Sequence, residues 1–238
     1  MNRPRMICHM MTALDGRITG SYLYDKHTQR AIEEYDRIHE NFGARAWICG
    51  RKTMEENFTL GAEPVLPEVV TPVPRTDYLA KPDAKVFCLA VDPSGKLGWP
   101  ASYIEAYSGR SEAHIVEILT ERVSDGYLQF LQNMGISYLF AGKEGLDQEL
   151  LLQKVKEKLG VELLLLEGGG SLNGSFLESG MIDELSLVLA PLADGWTGMP
   201  ALFDRNTAKE TSRVMRFALK SVEQIGDNEL WVRYEVIK

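Results

Sequence analysis

The chain has 238 residues, and its 26 Lys+Arg against 34 Asp+Glu give a formal charge of −8. With 45% hydrophobic and 25% charged residues it has the make-up of a folded globular protein, which excludes disorder, collagen and coiled coil. The acidic balance removes the general electrostatic reason to bind nucleic acid or an anionic membrane, and at roughly 150 residues per domain the length suits one large domain, here taken as 1–238.

Short apolar runs alternate with helical patterns along the chain, the mark of an α/β protein. Arg5 to Ala13 reads as a strand ended by an Asp15-Gly16 turn, and Ala31, Ile32, Tyr35 and Ile38 give a helix from Thr28 to Phe42-Gly43. Ala46 to Cys49 is a second strand, and Gly50-Arg51-Lys52-Thr53 opens another helix. Five of the ten prolines fall between Pro64 and Pro82, which predicts a loop excursion at a site rim or a subunit contact. Lys85 to Val91 is a strand closed by Asp92-Pro93-Ser94-Gly95, and His114 to Thr120 alternates like another. Ser124 caps a helix through Met134 that Gly135 ends, Ile136 to Ala141 is a strand, and Gln148 to Leu159 is a helix stopped by Gly160. Val161 to Leu166 is apolar without alternation, as a strand covered on both faces would be, and Ser171 to Ser179 follows as helix. Leu185 to Ala190, Val214 to Gln224 and Glu229 to Ile237 complete the strands, the last two forming a hairpin at Gly226-Asp227-Asn228. The expectation is a mixed, mainly parallel sheet flanked by helices and finished by an antiparallel pair.

The longest uncharged run, Gly126 to Gly142, carries Gln129, Gln132 and Asn133 and predicts no membrane span. The apolar stretch near the N-terminus is too short for a signal peptide, so a cytoplasmic protein is expected. Cys8, Cys49 and Cys88 lie in apolar runs without paired spacing and read as buried free thiols, and no metal site is expected.

Three junctions carry the chemistry. In Glu167-Gly168-Gly169-Gly170 a buried strand runs through three glycines into a helix, either a phosphate cradle of backbone amides at the positive end of the helix dipole or a tight turn. Glycines at 168 and 170 followed by Asn173 do not make a Rossmann fingerprint. Glu167, a carboxylate closing so apolar a strand, either faces a ligand or pairs with a base. At the second junction Gly50 permits close approach, Thr53 can bond a phosphate oxygen, and Arg51 or Lys52 supplies local positive charge, unless these two are a solvated pair at a helix start. At the third, Asp15 is a turn former or an acid. His9 and Thr12 lie on opposite faces of the strand, His9 being a core residue or a catalyst.

The segments ALDGRI (13–18), WICGRKTMEENF (47–58), VFCLAVDPSGKL (86–97) and LLLLEGGGSLNGSFLESGMIDELSLVLAP (163–191) together resemble the RibD C-terminal reductase domain of riboflavin biosynthesis. That resemblance implies a dihydrofolate-reductase-like three-layer α/β/α fold, a homodimer, and NADPH as the donor that reduces the ribosylamino group of a heterocyclic pyrimidine phosphate. It implies that Gly50, Arg51 and Thr53 with Gly168, Gly169, Gly170, Ser171 and Leu172 hold the cofactor, with Asp92 and Ser94 near its adenosine half. Thr12, Asp15 and Glu167 would line the substrate side, and Asp15, then Glu167 and His9, are the candidate proton donors. The chain departs from the family at His9 for a lysine, Ala13 for a serine and Asn57-Phe58 for an Asp-Pro pair, and it lacks the zinc signature of the companion deaminase. Two other readings remain: a reductase of another heterocycle such as dihydrofolate, with Asp25 as its acid, and a non-catalytic nucleotide-binding protein.

Overall fold

The computed structural model describes residues 2–69, 71–105, 110–205 and 214–238. It is a mixed α/β structure whose nine strands and five α-helices, among the described residues, fall in two compact units, each assembled from separate stretches of chain.

The first unit comprises Met1–Pro4 and Arg45–Leu164. Its strands β2 (Ala46–Gly50), β3 (Phe87–Val91), β4 (His114–Leu119) and β5 (Ser137–Phe140) pair in parallel in that order, Gly50 opposite Val91 and Ala90 opposite Glu117. Such strands are covered on both faces, and β3 and β4 are buried at every position, so the alternation along β4 is one of polarity and not of exposure. The helix after β2 is short: α2 covers Arg51–Met54 and runs into a π-helical turn, Glu55–Thr59.

Helices α3 (Asp125–Met134) and α4 (Gln148–Leu159) form as read, because local chemistry settles both ends. The Ser124 hydroxyl accepts from Tyr127 N and the Asp147 carboxylate from Leu150 N, while Gly135 and Gly160 take the left-handed conformation that stops each helix.

The proline-rich excursion is tied down more firmly than its composition suggests. Tyr78 bridges Tyr138, Ala80 N donates to Ser137 Oγ, and the Asp77 carboxylate accepts from Phe140 N at 2.8 Å and pairs with Lys154 and Lys158 at 2.9 and 2.7 Å. Burial pushes the Asp77 carboxyl up, but Lys158, Lys154 and the Phe140 amide outweigh it and hold the group below its ordinary value. A depressed carboxyl contributes stability that is complete above its unfolded pKa of about 3.9 and is lost as pH falls through the folded value. Asp77→Asn should therefore lower Tm at neutral pH and flatten the acid limb of a stability–pH curve; an acid limb unchanged by the substitution would contradict this anchoring.

The second unit comprises Arg5–Ala44 and Leu165–Lys238, and strand β6 (Leu163–Leu166) belongs by halves to both. Here β1 (Arg5–Thr12) pairs in parallel with β7 (Glu184–Leu189), and β9 (Glu229–Ile237) lies antiparallel between β7 and β8 (Arg216–Ile225). Helix α1 (Gln29–Asn41) lies along β1 and β7, and Ala31 and Ile38 join Ala13, Tyr22, Val188, Ala190 and Ile225 in one core.

The two faces of the β7–β9–β8 sheet differ in kind. On one, Glu184, Ser186 and Val188 stand opposite Glu235, Arg233 and Trp231. On the other, Leu185, Leu187 and Leu189 stand opposite Tyr234, Val232 and Leu230, and β8 continues the row with Leu219 and Val222. This second face carries no charge, yet Leu219 is 60% and Val222 52% exposed. All three cysteines are buried and none forms a disulfide, as their apolar settings imply.

Candidate active site

Each unit brings chemically suited residues to the carboxyl ends of its parallel strands, where ligands of open α/β sheets bind. In the second unit β6 ends at Leu166, Glu167 follows it directly, and α5 (Gly170–Glu178) begins three residues after Glu167. No side chain caps α5 at Gly169, so the first amides of the helix have no partner within it and keep their affinity for an anion. Ser171, in the first turn, is exposed and Leu172 half-buried.

The glycines do two jobs. Gly168 has φ 100 and its peptide with Gly169 is cis. A Cβ on Gly168 would stand 3.2 Å from Met10 Cε, and one on Gly170 would stand 2.6 Å from the Asp204 carboxylate and closer still to the Ala201 carbonyl. The open side of Gly170 is therefore filled by the chain's own Ala201–Asp204 segment, fastened by Asp204 N to Gly170 O at 3.0 Å and by Asn173 Nδ2 to Leu202 O at 3.0 Å. The sequence suggests that the missing side chain at this position admits a phosphate; instead it admits a loop.

At the end of β1, Thr12 is buried, and Asp15 is exposed in the following turn, its carboxylate accepting from Gly195 N at 2.8 Å. That hydrogen bond, with smaller help from Arg17, holds Asp15 below the ordinary carboxylate range. Asp15 is thus an ionised acceptor at neutral pH.

His9 lies beneath α1. It is fully buried, its Nδ1 lies 3.1 Å from Ser186 Oγ and its Nε2 3.0 Å from the Tyr35 carbonyl, and its ring stacks on Tyr35 at 4.3 Å. Both nitrogens are engaged in the layer under α1, while Met10 on the opposite face of β1 meets Gly168. His9 is a core histidine.

Glu167 does find a basic partner: its Oε1 lies 2.7 Å from His39 Nδ1, with side-chain exposures of 3% and 5%. The sequence reading passes over His39. Helical spacing was the available signal, since 39 follows Tyr35 by four residues and Ile38 by one and so falls on the buried stripe. Asp25 is exposed and caps the turn Lys26–Thr28, accepting from His27 N and Nδ1 at 2.8 Å each.

In the first unit the register that sets Gly50 beside Val91 brings Arg51 close to Asp92. Asp92 is fully buried, accepts from Lys96 N and, at 2.9 Å, from Leu97 N, and so fastens the turn that follows β3; its Oδ1 has no partner among the described residues. Burial pushes its carboxyl up against the pull of those amides and of Arg51. Ser94 in the same turn is exposed. Arg51 and Lys52 are paired along their own helix, with Glu55 at 2.7 Å and Glu56 at 3.7 Å, and Lys52 stays 77% exposed. Thr53 is half-buried, with its carbonyl accepting from Asn57 Nδ2 at 2.8 Å. A cavity of about 220 Å³ in this unit, lined by Phe58, Trp99, Tyr103 and their neighbours, touches none of the expected site residues. Among the described residues no cluster could hold a metal ion.

With this geometry in view, the comparisons are specific. The 2,5-diamino-6-ribosylamino-4(3H)-pyrimidinone 5′-phosphate reductase of Methanothermobacter thermautotrophicus is 35% identical over 96 residues, which are 40% of this chain and 44% of that protein. The reductase of the same name from Aquifex aeolicus is 26% identical over 126 residues, 53% and 55% of the two. The matched stretches span about half the length of these curated relatives. Among solved structures, a pyrimidine reductase-like protein of Corynebacterium diphtheriae shares the fold with a TM-score of 0.68 at 18% identity, over 100% of this chain and 93% of that one. The family described as the RibD C-terminal domain matches residues 4–230, and the chain belongs to that family.

Proposed function

We propose that the protein is an NADPH-dependent reductase of riboflavin biosynthesis that converts the ribosylamino group of a pyrimidine 5′-phosphate into a ribitylamino group. The observation that carries this reading is the uncapped start of α5 directly after Glu167 and the glycine turn, in a chain of this family. The residues present fit the cofactor. The amides of Ser171 and Leu172 would hold one phosphate, since the chain itself fills one side of Gly170. In the first unit, Gly50, Thr53 and the turn of Asp92 and Ser94 are of the kind that would suit an adenosine ribose and phosphate, and Lys52, the more loosely paired of its two cations, would suit the extra phosphate that distinguishes NADPH from NADH.

The bound nicotinamide would supply the hydride. The protein's part is to orient the acceptor carbon and keep water from it. Thr12 and Glu167 would line the pyrimidine side, and Asp15, being ionised, would accept hydrogen bonds from the substrate. The test is NADPH oxidation with this pyrimidine phosphate against a pteridine and against no substrate. Turnover with the first alone is expected; tight NADPH binding without turnover would point to the non-catalytic reading.

A homodimer belongs to the same proposal. The uncharged face of β7, β9 and β8 would meet its own copy across a two-fold axis, and its exposed Leu219 and Val222 need covering. Leu219→Lys with Val222→Lys should turn a dimer into a monomer in sedimentation velocity, and an unchanged sedimentation coefficient would contradict this face. Among the described residues no helix is long and apolar enough to cross a membrane; a cytoplasmic location is part of the proposal.

A further inference from the structure

We propose that His39 is a positioning residue for Glu167, holding its carboxylate in the orientation that meets the substrate. The inference rests on the reading above that Glu167 lies on the substrate side. The geometry is direct: Nδ1 of His39 on α1 and Oε1 of Glu167 after β6 stand 2.7 Å apart, both side chains nearly closed to water. Taking a carboxylate and an imidazole out of water has a desolvation cost that their attraction returns only in part, and an apolar pair would join the same elements without it. Stability alone does not explain the pair.

The two nitrogens of His39 are not equivalent. A carboxylate at Nδ1 fixes the N–H there, as in other carboxylate–imidazole pairs. Nε2 makes no hydrogen bond among the described residues and is not among their buried unpartnered atoms, so the small opening of the ring reaches that nitrogen. His9, by contrast, has partners at both nitrogens. The neighbouring thiol of Cys8 is pushed up first by burial and then by the Glu167 charge. Oε1 is thus held from the side of α1, and through it His39 sets how Glu167 is presented at the edge of the glycine turn. The partner this suits is a hydroxyl or N–H donor on a ribosylaminopyrimidine.

The experiment compares wild type, His39→Leu, His39→Asn and Glu167→Gln. Asparagine keeps an N–H donor near the Nδ1 position; leucine does not. Three quantities are measured for each: kcat and KM for the pyrimidine phosphate, calorimetric binding of that compound without turnover, and NADPH affinity. Loss of a group that orients a ligand-binding side chain typically reduces function about 10- to 100-fold. His39→Leu should show that loss in kcat and in pyrimidine binding with NADPH affinity unchanged, and His39→Asn should recover most of it. Placed on Glu167→Gln, His39→Leu should add little, because the two act as one unit. Wild-type kcat and pyrimidine binding in a folded His39→Leu enzyme would overturn the positioning role, as would equal losses in the leucine and asparagine variants. No turnover by wild type would instead contradict the reductase reading.

Discussion

Gly170→Ala should destabilise the second unit and weaken NADPH binding together, by amounts that a surface glycine would not show. The new Cβ would enter the space held by the Ala201 carbonyl and, at 2.6 Å, by the Asp204 carboxylate. Neither is the free end of a flexible side chain: Asp204 N donates to Gly170 O, and Asp204 Oδ1 accepts from Ala201 N. Overpacking of this kind costs roughly 1–3 kcal/mol. Because backbone must move, the upper end is expected, and a chain of this size would lose about 6–12 °C in Tm for 3 kcal/mol. Displacing the loop also tilts the start of α5, whose amides would hold the phosphate. NADPH affinity should therefore fall about tenfold, as a shift of roughly 1.4 kcal/mol implies. Gly174→Ala, one turn along, meets the Asp204 carbonyl carbon at 2.9 Å and should share the loss of stability, with less effect on NADPH. A Gly170→Ala protein with the wild-type Tm and NADPH affinity would refute the double role given to this glycine.

Glu184→Leu should have the second large effect, on stability alone. The Glu184 side chain is 1% exposed and collects three cations: Arg5 at 2.5 Å, Lys220 at 2.8 Å, and Arg233, whose Nε lies 2.6 Å from Oε1. The β-bulge between Leu219 and Ser221 is what frees Lys220 to reach it, since the extra residue departs from strict alternation. Removing this anion leaves Arg233, the most buried of the three, against Phe42 and Trp231 without the carboxylate that pairs with it. Breaking a buried pair from one side costs about 3–5 kcal/mol. Arg5 and Lys220 can turn back to water, so about 3 kcal/mol is the appropriate expectation. Chemical denaturation should show it as a lower midpoint with an unchanged slope. A loss below 1 kcal/mol would mean that the carboxylate contributes little beyond its shape.

How much of this was legible beforehand depended on whether the signal was local. Helices α3 and α4 could be read to the residue because a capping side chain and a left-handed glycine bracket each of them. The hairpin and the strands β2 to β7 were legible from apolar runs between turn residues. Local patterns were less informative where neighbours decide. Nothing in GRKTMEENF marks the change from α-helix to a π turn at Glu55. Asp92 looks like a turn residue with a ligand role, but only the fold shows that burial and two amides occupy it.

The site shows the same division. That Glu167 would have a partner followed from a carboxylate at the end of an apolar strand; that the partner is His39, 128 residues earlier, is set by packing of α1. For His9 the strand pattern favours a core residue over a catalyst, and the ring of Tyr35 stacks on it in the fold. Composition gave no warning of an uncharged sheet face in a chain of net charge −8, because the charges lie on the opposite face of the same three strands.

The central claim is hydride transfer to the pentose of a pyrimidine phosphate, and one isotope measurement tests it most directly. The protein is incubated with NADPH deuterated at nicotinamide C4 and with 2,5-diamino-6-ribosylamino-4(3H)-pyrimidinone 5′-phosphate, and the product is read by mass spectrometry. One deuterium on the sugar-derived chain of a ribitylamino product, with stoichiometric loss of NADPH, is the predicted result. Unchanged substrate in the presence of bound NADPH, or deuterium in the pyrimidine ring, would contradict it.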